Sequence, residues 1–324
     1  MSNKPGFIKE LSLPVVAAPM FLISGPQLVV ECCKNGIVGT FPALNQRTSK
    51  GFEEWLIEIK SALKTFEEET GKKAAPFGVN LIVHPTNPRL EADIKLCVKH
   101  QVPLIITSLG AVTQVVDTIH SYGGLVFHDV IKKRHAEKAA EAGVDGLILV
   151  AAGAGGHAGT INPMPLVSEI KKFFYKTVLL SGCIGTGRDI ASALQMGADL
   201  AYMGTRFINT NESKASPEYR QMIIDAGASD VVYTAAISGV HANFLDASLK
   251  AAGITEKDLK KDMKIDFGKE MDTEAKAWKT IWSAGQGSAL IHDSIPVTEL
   301  VSHLKTEFKV AIEEQINILE TYPK

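Results

Sequence analysis

The sequence predicts a (β/α)8 barrel, a TIM barrel, with a small helical insertion after its eighth strand. Eight short apolar runs alternate with helix-period segments, which is the βα order of a barrel. The runs are almost continuously apolar, as in parallel strands buried on both faces. A doubly wound sheet is the competing arrangement. The missing Gly-x-Gly-x-x-Gly turn after the first run weighs against it.

In chain order the runs are 13–18, 36–40, 77–82, 104–108, 125–128, 146–150, 178–181 and 200–203. Between them, segment 113–122 is closed by Gly123-Gly124. Segment 131–142 stops at Gly143 and segment 186–196 at Gly197, where a helix C-terminus favours glycine. From 211 to 285 the pattern turns polar and helix-prone, with a charge-rich run over 256–272 read as a solvated helix face. The last helix is expected from Pro296, a good first-turn proline, through Ile318. The barrel is therefore assigned to 1–210 and 286–324, and a mainly helical substrate-side subdomain to 211–285.

The chain has 324 residues, 45% hydrophobic and 22% charged, which suits a globular protein with a large core. A formal net charge of −2 gives no electrostatic case for nucleic acid or an anionic membrane surface. Cys32, Cys33, Cys97 and Cys183 form no Cys-x-x-Cys pair, so reduced thiols in a cytoplasmic setting are expected. The first ten residues lack an apolar signal region, and no apolar run approaches the roughly 20 residues needed to span a bilayer.

In a barrel, the ends of the strands and the loops after them form the active face. The seventh and eighth runs lead into Ser181-Gly182 and Gly204-Thr205. Two glycine turns let backbone N–H groups approach an anion, and Ser181 and Thr205 add hydroxyls, so a phosphate site is expected there. The sixth run leads into a loop where Gly153, Gly155, Gly156 and Gly159 surround His157. Glycines let the chain pass close to a flat ligand, and His157 is then the group able to move protons near neutral pH. His128, with Asp129 beside it to orient or charge it, is the alternative: a site histidine or a packing residue under the pocket. His84 is read as rimming the site, His135 as exposed on its helix, and His241 as reaching substrate from the insertion. No histidine, cysteine or carboxylate set has metal-binding spacing, so no catalytic metal is expected.

The segments GLILVAAGAGGHAG (146–159), SGCIGTGRD (181–189) and GADLAYMGTRF (197–207) resemble the nitronate monooxygenase family, formerly the 2-nitropropane dioxygenases. AAPM, FGVNL, VFHDV, SGVHANFL and WSAGQG fit the same family in the same order, so the resemblance covers nearly the whole chain. It implies a TIM barrel binding FMN without a covalent link. Ala18, Pro19 and Met20 would lie against the flavin ring, with Asn80 also in contact. Ser181, Gly182, Gly204 and Thr205 would hold the phosphate. Ala284, Gly285 and Gln286 would close over the cofactor, and Gly155 and Gly156 would pass beside it. His157 would be the base. Some relatives carry a flavin-contacting lysine near the end of the fifth strand; this chain has His128-Asp129 there, which leaves that contact and the flavin electronics open.

The implied activity is oxidation of alkyl nitronates, and of nitroalkanes after α-proton removal by His157, by O2 to a carbonyl compound and nitrite. Met20 and Phe244 are candidates for shaping the substrate pocket. Two alternatives share the motifs. One is an NAD(P)H-dependent FMN reductase of the enoyl-ACP or quinone reductase type, for which Lys132, Lys133 and Arg134 would offer an acidic carrier a docking patch. The other is a flavin-binding barrel without turnover. The resemblance leaves room for a homodimer.

Overall fold

The computed structural model describes residues 4–108, 110, 113–237, 239–260 and 280–322. Eight parallel strands close into a barrel: β1 (Val15–Ala17), β2 (Val38–Pro42), β3 (Phe77–Ile82), β4 (Leu104–Ser108), β5 (Leu125–Val130), β6 (Gly146–Val150), β8 (Thr177–Ser181) and β9 (Leu200–Met203). Every predicted run is one of these strands. The barrel closes where Val16 of β1 stands opposite Tyr202 of β9.

The helices outside are α1 (Pro26–Lys34), α2 (Ser49–Thr70), α3 (Leu90–Lys99), α4 (Thr113–His120), α5 (Lys133–Glu141), α6 (Pro163–Ile170) and α7 (Gly187–Gln195). Their ends follow local chemistry. Thr48 caps α2 by accepting from the Gly51 N–H, and Gly71 ends it at φ +67°. Thr186 and Asp189 cap α7 reciprocally. Gly143 and Gly197 take positive φ just past α5 and α7, as their positions in the sequence require. The final helix, α11, runs Val297–Thr321 with Pro296 at its N-cap, and it packs on α7.

Side chains alternate across each strand, and that alternation separates two cores. Val16, Val38, Leu104, Ile106, Phe127, Ile148, Leu179 and Leu200 fill the lumen. Val126, Val130, Leu147, Leu149, Val178 and Leu180 face the helices. Phe127 is fully buried, and truncating such a residue to alanine costs about 3–5 kcal/mol.

Past β9 come α8 (Thr205–Ile208), α9 (Pro217–Ile224), β10 (Val231–Thr234), β11 (Ala242–Leu245) and α10 (Asp246–Ala251). The inserted segment thus holds two strands as well as helices. With the two-residue strand β7 (Gly156–His157) they form an antiparallel sheet in the order β10-β11-β7. Most of the charge-rich run, 261–272, lies outside the described residues. Among the described residues, no helix is long and apolar enough to cross a membrane, and no group of histidines, cysteines and carboxylates is arranged to hold a metal.

Candidate active site

A cavity of about 1300 Å3 opens at the C-terminal mouth of the barrel. Its floor is the last lumen-facing layer: Ala18 after β1, Asn80 of β3, Ser108 of β4, Asp129 of β5, Val150 of β6, Ser181 of β8 and Tyr202 of β9. Pro19, Met20, Gly155, Gly156, His157, Gly182, Gly204, Thr205 and Gly285 line the walls. The inserted segment supplies Tyr233, His241 and Trp282. Gln286 stands just behind the wall, where its N–H donates to Gly153 O over 2.9 Å. Phe244 is fully buried in the insertion's own core and does not line the cavity.

The glycine loop after β6 is held by the insertion. His157 stands opposite Ala242, and Gly156 opposite Asn243. Asn243 Nδ2 donates to Ala154 O over 2.6 Å, and the Gly156 N–H donates to Ser283 Oγ over 2.7 Å. The glycines here also serve packing. A Cβ on Gly155 would lie 2.8 Å from Gly285 N, and one on Gly285 2.5 Å from Gly153 O. Only bare backbone lets the 153–156 and 284–286 segments meet. Burial lowers the His157 imidazole to about 4, so it is neutral near pH 7 and able to accept a proton.

Gly182 and Cys183 take consecutive positive φ values, +122° and +58°. A Cβ on Gly182 would lie 3.0 Å from Ala152 O, whereas one on Gly204 would make ordinary van der Waals contact, 3.7 Å from Ala18 and 3.9 Å from Met20. Thr205 Oγ1 accepts from the Gly285 N–H over 2.9 Å, which leaves its own O–H to donate. Asp189 Oδ2 accepts from the N–H groups of Gly185 and Thr186, so the α7 terminus serves its own cap. The turns at Gly182 and Gly204 both line the cavity and carry no side chain over their backbone.

His128 and Asp129 do not pair. Successive strand residues point to opposite faces, and His128 faces the helical layer, where Nδ1 meets Thr107 Oγ1 at 2.8 Å. Burial, with His135 nearby, lowers His128 to about 4. The cavity extends to this side through His128, His135 and Lys138, so His135 is half-buried rather than exposed. Asp129 instead faces the lumen and accepts from Ser108 Oγ over 2.5 Å. Burial raises its carboxyl to about 6. His84 bonds Thr86 through Nδ1 at 2.8 Å and is not on the cavity wall. His241 stacks on Tyr233 with centroids 5.0 Å apart.

Residues 6–307 match the nitronate monooxygenase family. The nitronate monooxygenase of Paraburkholderia phytofirmans is 25% identical over 93% of this chain and 93% of its own length. Two solved structures share the fold: FabK from Thermotoga maritima (TM-score 0.78, 23% identity, 96% of this chain and 97% of that one) and the nitroalkane oxidase from Streptomyces ansochromogenes (TM-score 0.78, 23% identity, 96% and 100%). At these identities the structures speak for the barrel, while the family match spans nearly the whole sequence. The chain belongs to the nitronate monooxygenase family of oxidoreductases.

Proposed function

We propose that the protein is an FMN-dependent oxidase of alkyl nitronates and nitroalkanes that uses O2 and forms a carbonyl compound and nitrite, with His157 as the general base. The observation that carries this reading is a neutral, buried imidazole facing one cavity together with two bare glycine turns.

The site's donor set fits FMN. The turns at Gly182 and Gly204 have the backbone exposure a phosphate needs, and Ser181 and Thr205 stand beside them with hydroxyls. Ala18, Pro19 and Met20 offer an apolar wall to a flat ring, and Asn80 and Asp129 offer polar atoms from the floor. Bound there, the flavin would supply the electron-accepting chemistry that no side chain provides. His157 would take the α-proton of a neutral nitroalkane at its imidazole, a contribution of about 10²–10⁴ in rate for a positioned base. A nitronate arrives already deprotonated and needs only to be oriented. His241, Tyr233 and Trp282 would cover the substrate and exclude water.

One observation favours a second reading. The cavity exceeds the roughly 300–1000 Å3 usual for one ligand, which gives room for NAD(P)H or an acyl thioester beside FMN. Anaerobic mixing separates the two. Loss of the yellow flavin band with ethylnitronate and not with NAD(P)H supports the oxidase. Loss with NAD(P)H alone overturns it in favour of a reductase.

A further inference from the structure

Asn80, Ser108 and Asp129 form a hydrogen-bonded row across three neighbouring strands at the floor of the cavity. Asn80 Nδ2 donates to Ser108 Oγ over 2.9 Å, and Ser108 Oγ donates to Asp129 Oδ2 over 2.5 Å. The row stops at Asp129. Its Oδ1 is buried and has no hydrogen-bond partner among the described residues. A buried polar atom left without a partner is costly, and it needs a specific explanation. All three residues line the cavity, so the carboxyl stands at the floor beneath the space a ligand would fill, with Oδ1 on its buried side.

Few charged or titratable groups face this carboxyl. From β4 comes Ser108, and from β9 comes Tyr202, whose phenol is raised well above its usual range by burial and by Asp129. From β6 come only Ile148 and Val150. His128 and His135 lie behind the strand on the helix side. His157 shares the cavity from the loop after β6. Among the described residues no cation pairs with Asp129, so neither of its protonation states is held by a fixed opposite charge.

We propose that Asp129 is a redox-linked proton site: its carboxylate takes up one proton from solvent when the ring bound over it is reduced, and releases it on reoxidation. The inference rests on the flavin reading above. Two electrons pass to the ring from the nitronate substrate, or from dithionite in the test. The proton moves separately, forming an O–H bond on Asp129 and leaving a solvent hydronium or buffer acid. Reoxidation by O2 removes the electrons and frees the proton. The cause is electrostatic. Negative charge arriving in a water-poor mouth disfavours a second negative charge beside it. Burial already holds this carboxyl close to neutral pH, so a modest further push crosses the working range.

The test is a dithionite titration of the FMN-loaded protein between pH 5 and 9, for the wild type, D129N and S108A. The wild type should show a pH window in which the reduced-to-oxidised equilibrium gains a further tenfold per pH unit. For a two-electron couple that is about 30 mV per unit. D129N should lose this window in whatever fraction of the protein holds FMN. S108A should move it to higher pH, because the O–H that favours the carboxylate is gone. If D129N does not retain FMN, the direction of the S108A shift decides. The same window in D129N, or an unmoved one in S108A, overturns the assignment and leaves the flavin reading standing. A wild type that binds no FMN overturns both.

Discussion

His157 stands opposite Ala242 in the ladder between β7 and β11, so its backbone is set by the inserted segment as much as by the strand that precedes it. The clamp extends to both sides. Asn243 holds Ala154 O at 2.6 Å, and the Tyr233 hydroxyl donates to Ala158 O over 3.0 Å. A loop rich in glycine would otherwise sample many conformations. The insertion removes that freedom, and it brings Tyr233 and His241 to the same cavity.

Asn243→Ala should therefore weaken catalysis more than binding. The substitution leaves Ala154 O without its side-chain donor, at a cost of about 1–3 kcal/mol in stability. A loosened imidazole should lower kcat by about tenfold to a hundredfold, since a displacement near 1 Å has that effect. Steady-state kinetics and urea melts read the two effects separately. An unchanged kcat in a destabilised variant would mean that the ladder alone holds His157.

His157→Asn should bind FMN with near wild-type affinity and lose about 10²–10⁴ in turnover of a neutral nitroalkane. Turnover of the preformed nitronate should fall much less, because no α-proton remains to be removed. The ratio of the two rates in one preparation is the measurement. Equal losses on both substrates would assign His157 to positioning and not to proton transfer.

The barrel was legible because strands buried on both faces leave an apolar signature that their surroundings cannot mask. Gly143 and Gly197 marked helix ends for a similarly local reason: positive φ is required there. The small sheet was not legible. β10 and β11 are four residues each, inside a polar segment, and β7 is two residues long, too short for any periodicity. β10 and β11 are neighbours in the chain, but β7 exists only through its pairing of His157 with Ala242, 85 positions away. His128 and Asp129 could have been separated from sequence, since strand alternation alone puts neighbours on opposite faces. The network Asn80–Ser108–Asp129 could not, because it depends on barrel register.

The two glycines proposed to hold the phosphate should respond differently to alanine. At Gly182 a Cβ meets Ala152 O at 3.0 Å and the residue sits at φ +122°, so Gly182→Ala should cost about 1 kcal/mol or more in stability and also lower FMN affinity. At Gly204 the nearest atom is 3.7 Å away, so Gly204→Ala should keep its stability and lose affinity alone. Fluorescence titration of apoprotein with FMN, beside thermal melts, resolves the pair. Full FMN affinity in Gly204→Ala would move the phosphate away from this turn.

Acid should destabilise the apoprotein through its buried histidines, with Asp129 opposing. The unfolded chain protonates histidine near 6.5, while folded His128 and His157 stay neutral to about 4. Between those values the unfolded state binds more protons, so stability falls as pH falls, by at most about 3 kcal/mol per histidine. Asp129 has the opposite sign. Its folded carboxyl binds a proton near 6 and the unfolded one only near 3.8, so it adds stability as pH falls through that window. The carboxyl offsets about one histidine. The wild type should then lose about 3 kcal/mol between pH 6.5 and 4, and D129N, without the offset, about twice that. Urea denaturation of the apoproteins at pH 7, 5.5 and 4.5 measures both slopes. Equal slopes would mean that Asp129 ionises in the folded state as it does in water, and that the mouth of the barrel is wetter than its burial implies.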